Sequence, residues 1–389
     1  GVPYWTNAVG QFLARETNLF IGSQPIDTLY SDYLFMWEEL SGKVGRRLEE
    51  MIGKQNTTCL AKTRSKFFRR LYVPLPFFFT KTSGNALPLV SLQFHDVRVK
   101  ITWRGVKDAI CNSSGIAGGS VVSTGNATFR TVVRPGQASM FDASFTNGAL
   151  ATFGAGSTLP AVISDSDVNC SLECQYVYLD VQERAKFAEG SFEILMDEVQ
   201  MLPAMSDHRT PSVTLNLNFN HAVIEILWAC RQKLNENMCE HFNFAGLVEP
   251  LTGCPLDPIR SVDMRLNNQC RFAKTEARYF RLVQPYQHHS LIPSTHVYSY
   301  SFALNPEDSQ PSGSCNFSRI DNATLELQLD RYLFTDNTGQ GGLNLSNTTS
   351  RGGDAPAVEG GNSVSMICFA RNWNVLRITL GLAGKAYAN

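Results

Sequence analysis

The chain alternates short apolar runs with polar turns along most of its length. The runs are rich in β-branched and aromatic residues, and Pro, Gly, Asn and Asp bound them, which is the pattern of β-strands joined by turns. Strands are predicted at residues 71–79, 97–103, 176–181, 213–219, 223–228, 297–304, 323–329 and 375–380. Such spacing predicts an all-β protein built from sandwich or barrel modules.

One segment has helical periodicity instead. Residues 33–52 carry apolar side chains at intervals of three and four, which predicts an amphipathic helix. Gly42 and Gly45 lie inside this segment and are expected to split it. The acidic pairs at 38–39 and 49–50 are typical of a solvated helix face rather than of acid–base chemistry.

Two long stretches have a different composition. Residues 105–168 are rich in Gly, Ser, Thr and Ala, and residues 336–363 are nearly free of large apolar side chains. Because neither can supply a core, both are predicted to project from the outer surface, the first with some strands of its own. For residues 105–168 the simpler alternative is a mobile loop.

Three landmarks recur in the same order in the two halves of the chain. Residues 20–27 match residues 264–271, and Gln24 falls on Gln269. The second landmark, 72–79 followed by a turn and 95–103, matches 297–304 followed by a turn and 323–329, and the third matches 176–181 with 374–379. A repeated order of this kind indicates a duplicated β module.

The two modules differ at their beginnings. Strand-like runs at 192–201, 213–219 and 223–228 precede the second copy of the landmark, whereas few residues precede the first copy at residue 20. We therefore expect the first module to lack its opening strands, which about 50 upstream residues would supply.

Length and charge narrow the functional classes. With 389 residues the chain has room for two or three domains, each with its own core. The formal net charge is −1 and 18% of residues are charged, which gives no general attraction to nucleic acid or anionic lipid. The longest apolar stretches, 71–79 and 223–230, are too short to span a bilayer. Neither direct nucleic-acid binding nor membrane insertion is expected.

The sequence contains no recognisable catalytic or metal-binding pattern. The seven histidines have neither HxxxH nor HExxH spacing, and no GxSxG, SxxK or P-loop motif occurs. We therefore expect no enzymatic activity, no metal and no cofactor. The basic run at 62–70 is attributed to a contact between chains in preference to nucleic acid. Ten cysteines without a CxxC pair favour free thiols, with one or two disulfides as the alternative.

Several longer motifs carry a resemblance to a known family. They are FFF at 77–79 with LPLVSLQFHDV at 87–97, LDVQERAKF at 179–187, VQPY at 283–286, YSFAL at 300–304, QPSGSCNFSRIDNA at 310–323, and NVLRI at 374–378 with AYAN at 386–389. In this order the motifs resemble the major capsid protein of nucleocytoplasmic large double-stranded DNA viruses, the chlorovirus type in particular.

The resemblance implies two consecutive eight-stranded jelly rolls, at residues 1–188 and 189–389, the first without its opening strands. It also implies a structural virion protein of the capsid shell, without catalysis. Three chains would form a pseudo-hexagonal capsomer that contacts neighbouring capsomers and minor capsid proteins. Two alternatives stay open: a minor capsid paralogue of the same fold, and a carbohydrate-binding jelly-roll protein, which needs carboxylates or aromatic rings clustered on one concave sheet.

Glycosylation sequons are moderately enriched in the chain. Candidate glycan sites lie in or beside the predicted loops, at Asn56, Asn112, Asn126, Asn169, Asn344 and Asn347. Two further sequons, at Asn316 and Asn322, belong to the QPSGSCNFSRIDNA motif and are expected to be structural.

Overall fold

The computed structural model describes residues 3–42, 48–54, 70–113, 132–133, 169–203, 205–233, 241–245, 257–330, 333 and 363–387. Strands β1 to β17 are Pro3–Trp5, Ala14–Ile21, Gln24–Tyr30, Val97–Trp103, Ile110–Ser113, Val132–Val133, Phe192–Met201, Met205–His208, Ser212–Asn216, Ala222–Gln232, Ile259–Leu266, Gln269–Glu276, Val297–Ser301, Cys315–Asn316, Ala323–Leu329, Val364–Thr379 and Leu382–Lys385. Helices α1 to α7 are Val9–Leu13, Ser31–Ser41, Glu49–Ile52, Phe78–Lys81, Val106–Ala109, Val181–Glu189 and Gln284–His288. A π-helix spans Tyr279–Val283, and 3-10 helices span Ser83–Asn85, Leu89–Ser91 and Phe317–Arg319.

The described strands form four antiparallel sheets. The widest has the order β13-β10-β16-β17, with β14 on β10 and with β7 and β8 on β16. A four-stranded sheet has the order β12-β11-β15-β9, and two three-stranded sheets have the orders β3-β2-β4 and β1-β5-β6. The predicted all-β architecture is confirmed.

The duplicated module is visible as two hairpins, each followed by a helix. In the first half β2 and β3 form the hairpin, β4 pairs with β2, and α2 follows. In the second half β11 and β12 form the hairpin, β15 pairs with β11, and the π-helix and α7 follow. Gln24 and Gln269 each begin the second strand of their hairpin. The predicted match between these two residues therefore holds in three dimensions.

Turn chemistry explains both hairpins. Gly22 has a φ of +62°, and Asn267 and Asn268 have φ values of 49° and 62°. Two-residue hairpin turns need positive φ, which Gly and Asn adopt at low cost. The two modules thus reach the same turn with different residues.

The strand predicted at 71–79 is wrong. Residues 71–77 have no regular secondary structure, and helix α4 begins at Phe78. Pro74 and Pro76 both lack an N–H group, so this run cannot supply the donors that a sheet ladder needs.

The strand predicted at 176–181 is also wrong. Residues 169–180 have no secondary structure, and α6 begins at Val181, where the Asp180 carboxylate accepts a hydrogen bond from the Val181 N–H at 2.7 Å. The β-branched and aromatic composition suits a strand, but no described strand pairs with this segment. Its large apolar side chains are exposed instead.

The helix predicted at 33–52 is split as expected. Helix α2 ends at Ser41, with Gly42 as its C-terminal cap, and α3 follows at Glu49–Ile52. Gly45 lies outside the described residues.

The widest sheet lies between two hydrophobic cores. Along β10, Leu227 and Ala229 belong to a core formed mainly by the first half, whereas Ile226 and Trp228 belong to the core of the second half. Successive strand residues point to opposite faces, so one sheet serves both cores. The first half therefore closes its core against strands of the second.

The predicted surface projections lie almost wholly outside the described residues. Of residues 105–168 the structure describes only 105–113 and 132–133, and of 336–363 only residue 363. Their position on the outer face stays a prediction.

Candidate functional site: the charged junction between the halves

An arginine lies at the centre of the contact between the two halves. Arg371, in the middle of β16, is 1% exposed, and Glu225 on β10 is its direct cross-strand partner. The guanidinium donates to Oε1 of Glu225 at 2.9 Å, and Nε lies 3.3 Å from Oδ2 of Asp197. Burial alone would lower the pKa of Arg371, but the two carboxylates outweigh burial and raise it. The group is therefore a buried cation.

Two side chains of the first half complete this cluster. Cζ of Arg371 lies 4.3 Å from the ring centre of Trp37 on α2, and Nζ of Lys81 on α4 lies 5.1 Å from the same ring. Lys81 also pairs with Asp197 on β7. Burial would raise the pKa of Asp197, but Lys81 and Arg371 lower it below its usual value. The carboxylate of Asp197 thus joins cations from both halves.

A histidine extends the network on the other side of Glu225. Nε2 of His289 lies 3.0 Å from Oε2 of Glu225, and Nδ1 lies 3.3 Å from Oε1 of Glu307. Burial would lower the pKa of His289, but the two carboxylates reverse that effect and raise it to about 9. The His289 ring also meets the ring of Trp37 edge to face, at 6.4 Å between centres. His289 is therefore protonated at neutral pH and contacts α2.

A fourth acidic side chain lies beside this cluster. The carboxylate of Asp27 on β3 accepts hydrogen bonds from the N–H groups of Val199 at 3.1 Å and Thr28 at 2.8 Å. Burial is the main cause that raises the pKa of Asp27 to about 7, and repulsion from Asp197 and Glu198 adds to it. Asp27 is thus the titrating member of the junction near neutral pH.

The junction is built as a clamp between α2 and the central sheet. Its carboxylates at Asp197 and Glu225 are already paired with cations. Within the described part of the chain, no group of three or more His, Cys, Asp or Glu side chains is placed to hold a metal ion. Among the same residues, no helix has both the length and the apolar character required to cross a membrane.

The candidate glycan sites are only partly visible. Asn169 is exposed, and Asn112 lies in β5, paired with Pro3 and Val133 on its two neighbours. The remaining candidates, Asn56, Asn126, Asn344 and Asn347, lie outside the described residues.

The two sequons of the QPSGSCNFSRIDNA motif have local contacts. The Asn316 side chain accepts a hydrogen bond from the Ser318 N–H at 3.0 Å and caps a 3-10 turn. The Asn322 N–H donates to Oδ1 of Asn267 at 3.2 Å. These contacts explain the motif as a turn that joins β14 to β15 and braces the β11–β12 hairpin.

Six cysteines in the described residues are free thiols. Cys230 and Cys368 are buried within the second core, and burial raises the pKa of Cys230 to about 12. The remaining four are Cys170, Cys174, Cys270 and Cys315. The preference for free thiols is confirmed for these positions.

Comparison with known proteins gives matches along the whole chain. Residues 183–384 match the family model "Large eukaryotic DNA virus major capsid protein", and residues 1–180 match "Major capsid protein N-terminus". The major capsid protein of Paramecium bursaria Chlorella virus 1 is 31% identical, over 97% of this chain and 79% of its own length. That of Pyramimonas orientalis virus is 29% identical, over 100% of this chain and 79% of its own length.

Solved structures give the same result. The crystal structure of VP54 from PBCV-1 matches with a TM-score of 0.63 and 26% identity, over 100% of this chain and 87% of its own. The Faustovirus major capsid protein matches with a TM-score of 0.61 and 12% identity, over 97% of this chain and 73% of its own, which supports the fold alone.

The antiparallel sheets and the match to VP54 define a structural protein of the double jelly-roll class. The chain belongs to the family of major capsid proteins of large eukaryotic DNA viruses. It is a structural component of the virion shell, and its relatives are named as capsid proteins, not as enzymes. The predicted family, the double jelly-roll fold, the structural role as a capsid protein and the location in the virion shell are confirmed, and the carbohydrate-binding alternative is set aside.

Proposed function

We propose that three copies of this chain form one pseudo-hexagonal capsomer, which contacts neighbouring capsomers and minor capsid proteins in the shell. The observation that carries the proposal is the pair of equivalent hairpin and helix units in one chain. Two similar units per chain give six per trimer, so an object with three-fold symmetry can fill a six-sided lattice position.

Native mass spectrometry of the purified chain tests the stoichiometry. We expect a species of three chains as the main component at neutral pH and moderate salt. A chain that stays monomeric under the conditions in which it assembles into shells would contradict the proposal.

The same proposal divides the chain into two jelly-roll units, residues 1–188 and 189–389. The matches to the two family models meet between residues 180 and 183, and α6 ends at Glu189 just before β7 begins at Phe192. Because the central sheet serves both cores, we expect the halves to unfold together. Two separate urea transitions for the single chain would contradict that expectation.

Glycans at the candidate sequons would cover the outer surface of the shell. The candidates are Asn56, Asn112, Asn126, Asn169, Asn344 and Asn347. The exposed position of Asn169 supports this assignment, whereas Asn316 serves as the internal negative control because its side chain caps a turn. Glycopeptide mass spectrometry of protein from virions should find modified loop sites and an unmodified Asn316. Unmodified peptides at all six candidates would contradict the assignment.

A further inference from the structure

An apolar helix face is exposed in the second half. Tyr279, Leu282, Val283 and Tyr286 lie on the π-helix and α7, and they are between 37% and 76% exposed. These four side chains, all exposed within eight consecutive residues of one helical segment, are called the helix face below. Phe280, in the same segment, is buried in the second core. Four adjoining large apolar side chains on a surface mark a site of association.

The equivalent face in the first half is buried. Helix α2 begins at Ser31 and the second-half helical segment begins at Ala277, each directly after its hairpin. Aligning these two starts matches the exposed face with Tyr33, Met36, Trp37 and Leu40, position by position. All four are at most 9% exposed. The same helix face is therefore covered in one module and bare in the other.

The second half of the same chain covers the α2 face. The Tyr33 ring packs edge to face on Phe369 at 5.8 Å between centres, and Trp37 lies against Arg371. The Leu40 carbonyl oxygen accepts a hydrogen bond from the Leu291 N–H at 2.9 Å. The surface that receives α2 is thus formed largely by β16.

The first half carries a counterpart of that receiving surface. The sequence repeat matches residues 374–379 of β16 with residues 176–181, and the same offset matches Phe369 and Arg371 with positions 171 and 173. This stretch pairs with no described strand, and Leu172, Tyr176, Val177 and Tyr178 are between 52% and 92% exposed. Ser171 and Glu173 stand at those two positions, so the exposed apolar side chains on either side of them provide the apolar surface of this stretch. Among the described residues, none covers either this stretch or the second-half helix face.

We propose that the helix face of Tyr279, Leu282, Val283 and Tyr286 in one copy packs on residues 172–178 of the next copy. This contact repeats between chains the junction that α2 makes within the chain. It joins two different surfaces, so it is head-to-tail, and a head-to-tail contact either closes into a ring or continues as a filament. The inference rests on the proposed trimer, in which three such contacts close the ring.

Charge insertion on either side tests the contact. Leu282→Asp places a carboxylate on the helix face, and Val177→Asp places one on the receiving segment. Each variant should weaken trimer formation by about tenfold or more, because a charge at the centre of an apolar contact is desolvated without a partner. Leu382→Asp is the matched control, since Leu382 is a leucine of similar exposure outside both surfaces, and it should remain trimeric. Circular dichroism and urea unfolding verify that each variant is folded.

Mixing the two variants gives a sharper test. The Val177→Asp chain keeps an intact helix face, and the Leu282→Asp chain keeps an intact segment at 172–178. One chain of each kind can therefore form a single unmodified contact between these two surfaces. Native mass spectrometry should show a 1:1 heterodimer in the mixture that is much weaker or absent in either variant alone. Trimeric variants, a dissociated Leu382→Asp control, or a mixture without heterodimer would overturn the inference while the wild-type trimer stands. A wild-type chain that forms no trimer would instead refute the proposed function.

Discussion

Replacing Arg371 with methionine removes the positive charge from the junction but keeps much of the side chain's length and apolar contact. Removal of one partner from a buried ion pair typically costs about 3–5 kcal/mol, because the other charge is left buried. Glu225 would keep His289 at 3.0 Å, and Asp197 would keep Lys81. We therefore expect the lower end of that range, about 3 kcal/mol, as the loss in the free energy of unfolding.

The chain offers a matched control on the same strand. Arg377, also on β16, pairs with Glu193 on the neighbouring strand β7, with 2.8 Å between Nε and Oε1. In contrast to Arg371 and Glu225, these two side chains are 59% and 58% exposed. Exposed pairs contribute about 0–1 kcal/mol, so Arg377→Met should change the free energy of unfolding very little. Urea unfolding with linear extrapolation measures both variants against the wild type.

The double variant separates pairing from packing. Glu225→Gln in the Arg371→Met background removes the buried carboxylate that the single variant leaves behind, so the combined loss should be smaller than the sum of the two single losses. Equal losses for Arg371→Met and Arg377→Met, or fully additive losses in the double variant, would refute the view that the junction is an electrostatic clamp.

Three further perturbations have defined outcomes. The pKa of Asp27 is about 7 in the folded chain and ordinarily 3.8. Between about pH 4 and pH 7, Asp27 is therefore protonated in the folded chain and ionised in the unfolded chain. Stability should fall by on the order of 3 kcal/mol as pH rises through that range, and Asp27→Asn should flatten this fall in urea midpoints measured at pH 5 and pH 8. The pKa of His289 is about 9 in the folded chain, compared with its ordinary value of 6.5. Protonation of His289 therefore stabilises the fold fully below pH 6.5, and this contribution is lost as the pH rises through 9. His289→Gln should therefore destabilise the chain at pH 6 and change it little at pH 9.5, and an equal loss at both would count against the assignment. Gly381 has a φ of +79°, and a Cβ there would lie 2.7 Å from the Phe94 ring, so Gly381→Ala should cost about 1–2 kcal/mol in urea unfolding. Gly84→Ala, with nothing within 4 Å of its Cβ, is the control and should be nearly neutral.

Local chemistry was the part of the fold that the sequence predicted well. The turns that precede Gln24 and Gln269 consist of residues that adopt positive φ, so both hairpins follow from short-range rules. The strands predicted at 97–103 and 323–329 coincide with β4 and β15. Neither strand prediction required knowledge of residues distant in the chain.

The failure at 71–79 has a local cause, the two prolines, whereas the other failures occurred where a distant partner decides the structure. Residues 176–181 have strand composition but pair with no described strand. The last strand was predicted at 375–380, whereas β16 begins at Val364 and includes buried Arg371, Asn372 and Asn374. Polar residues interrupt the apolar pattern of a strand, and only their partners on other elements make burial possible.

The charged junction was missed for the same reason. Glu225 lies within an apolar run that was correctly predicted as a strand, but its cation at Arg371 is 146 residues away. A buried glutamate requires such a partner, and its identity depends on the register between β10 and β16.

An electron cryo-microscopy map of the purified oligomer would show both the number of chains and the contacts between them. We expect three chains in a closed ring with a six-lobed outline, in which the helical segment at 277–288 of each chain contacts residues 172–178 of the next. A monomer, a two-fold dimer, or a three-chain ring in which that helix face is exposed to solvent would contradict it.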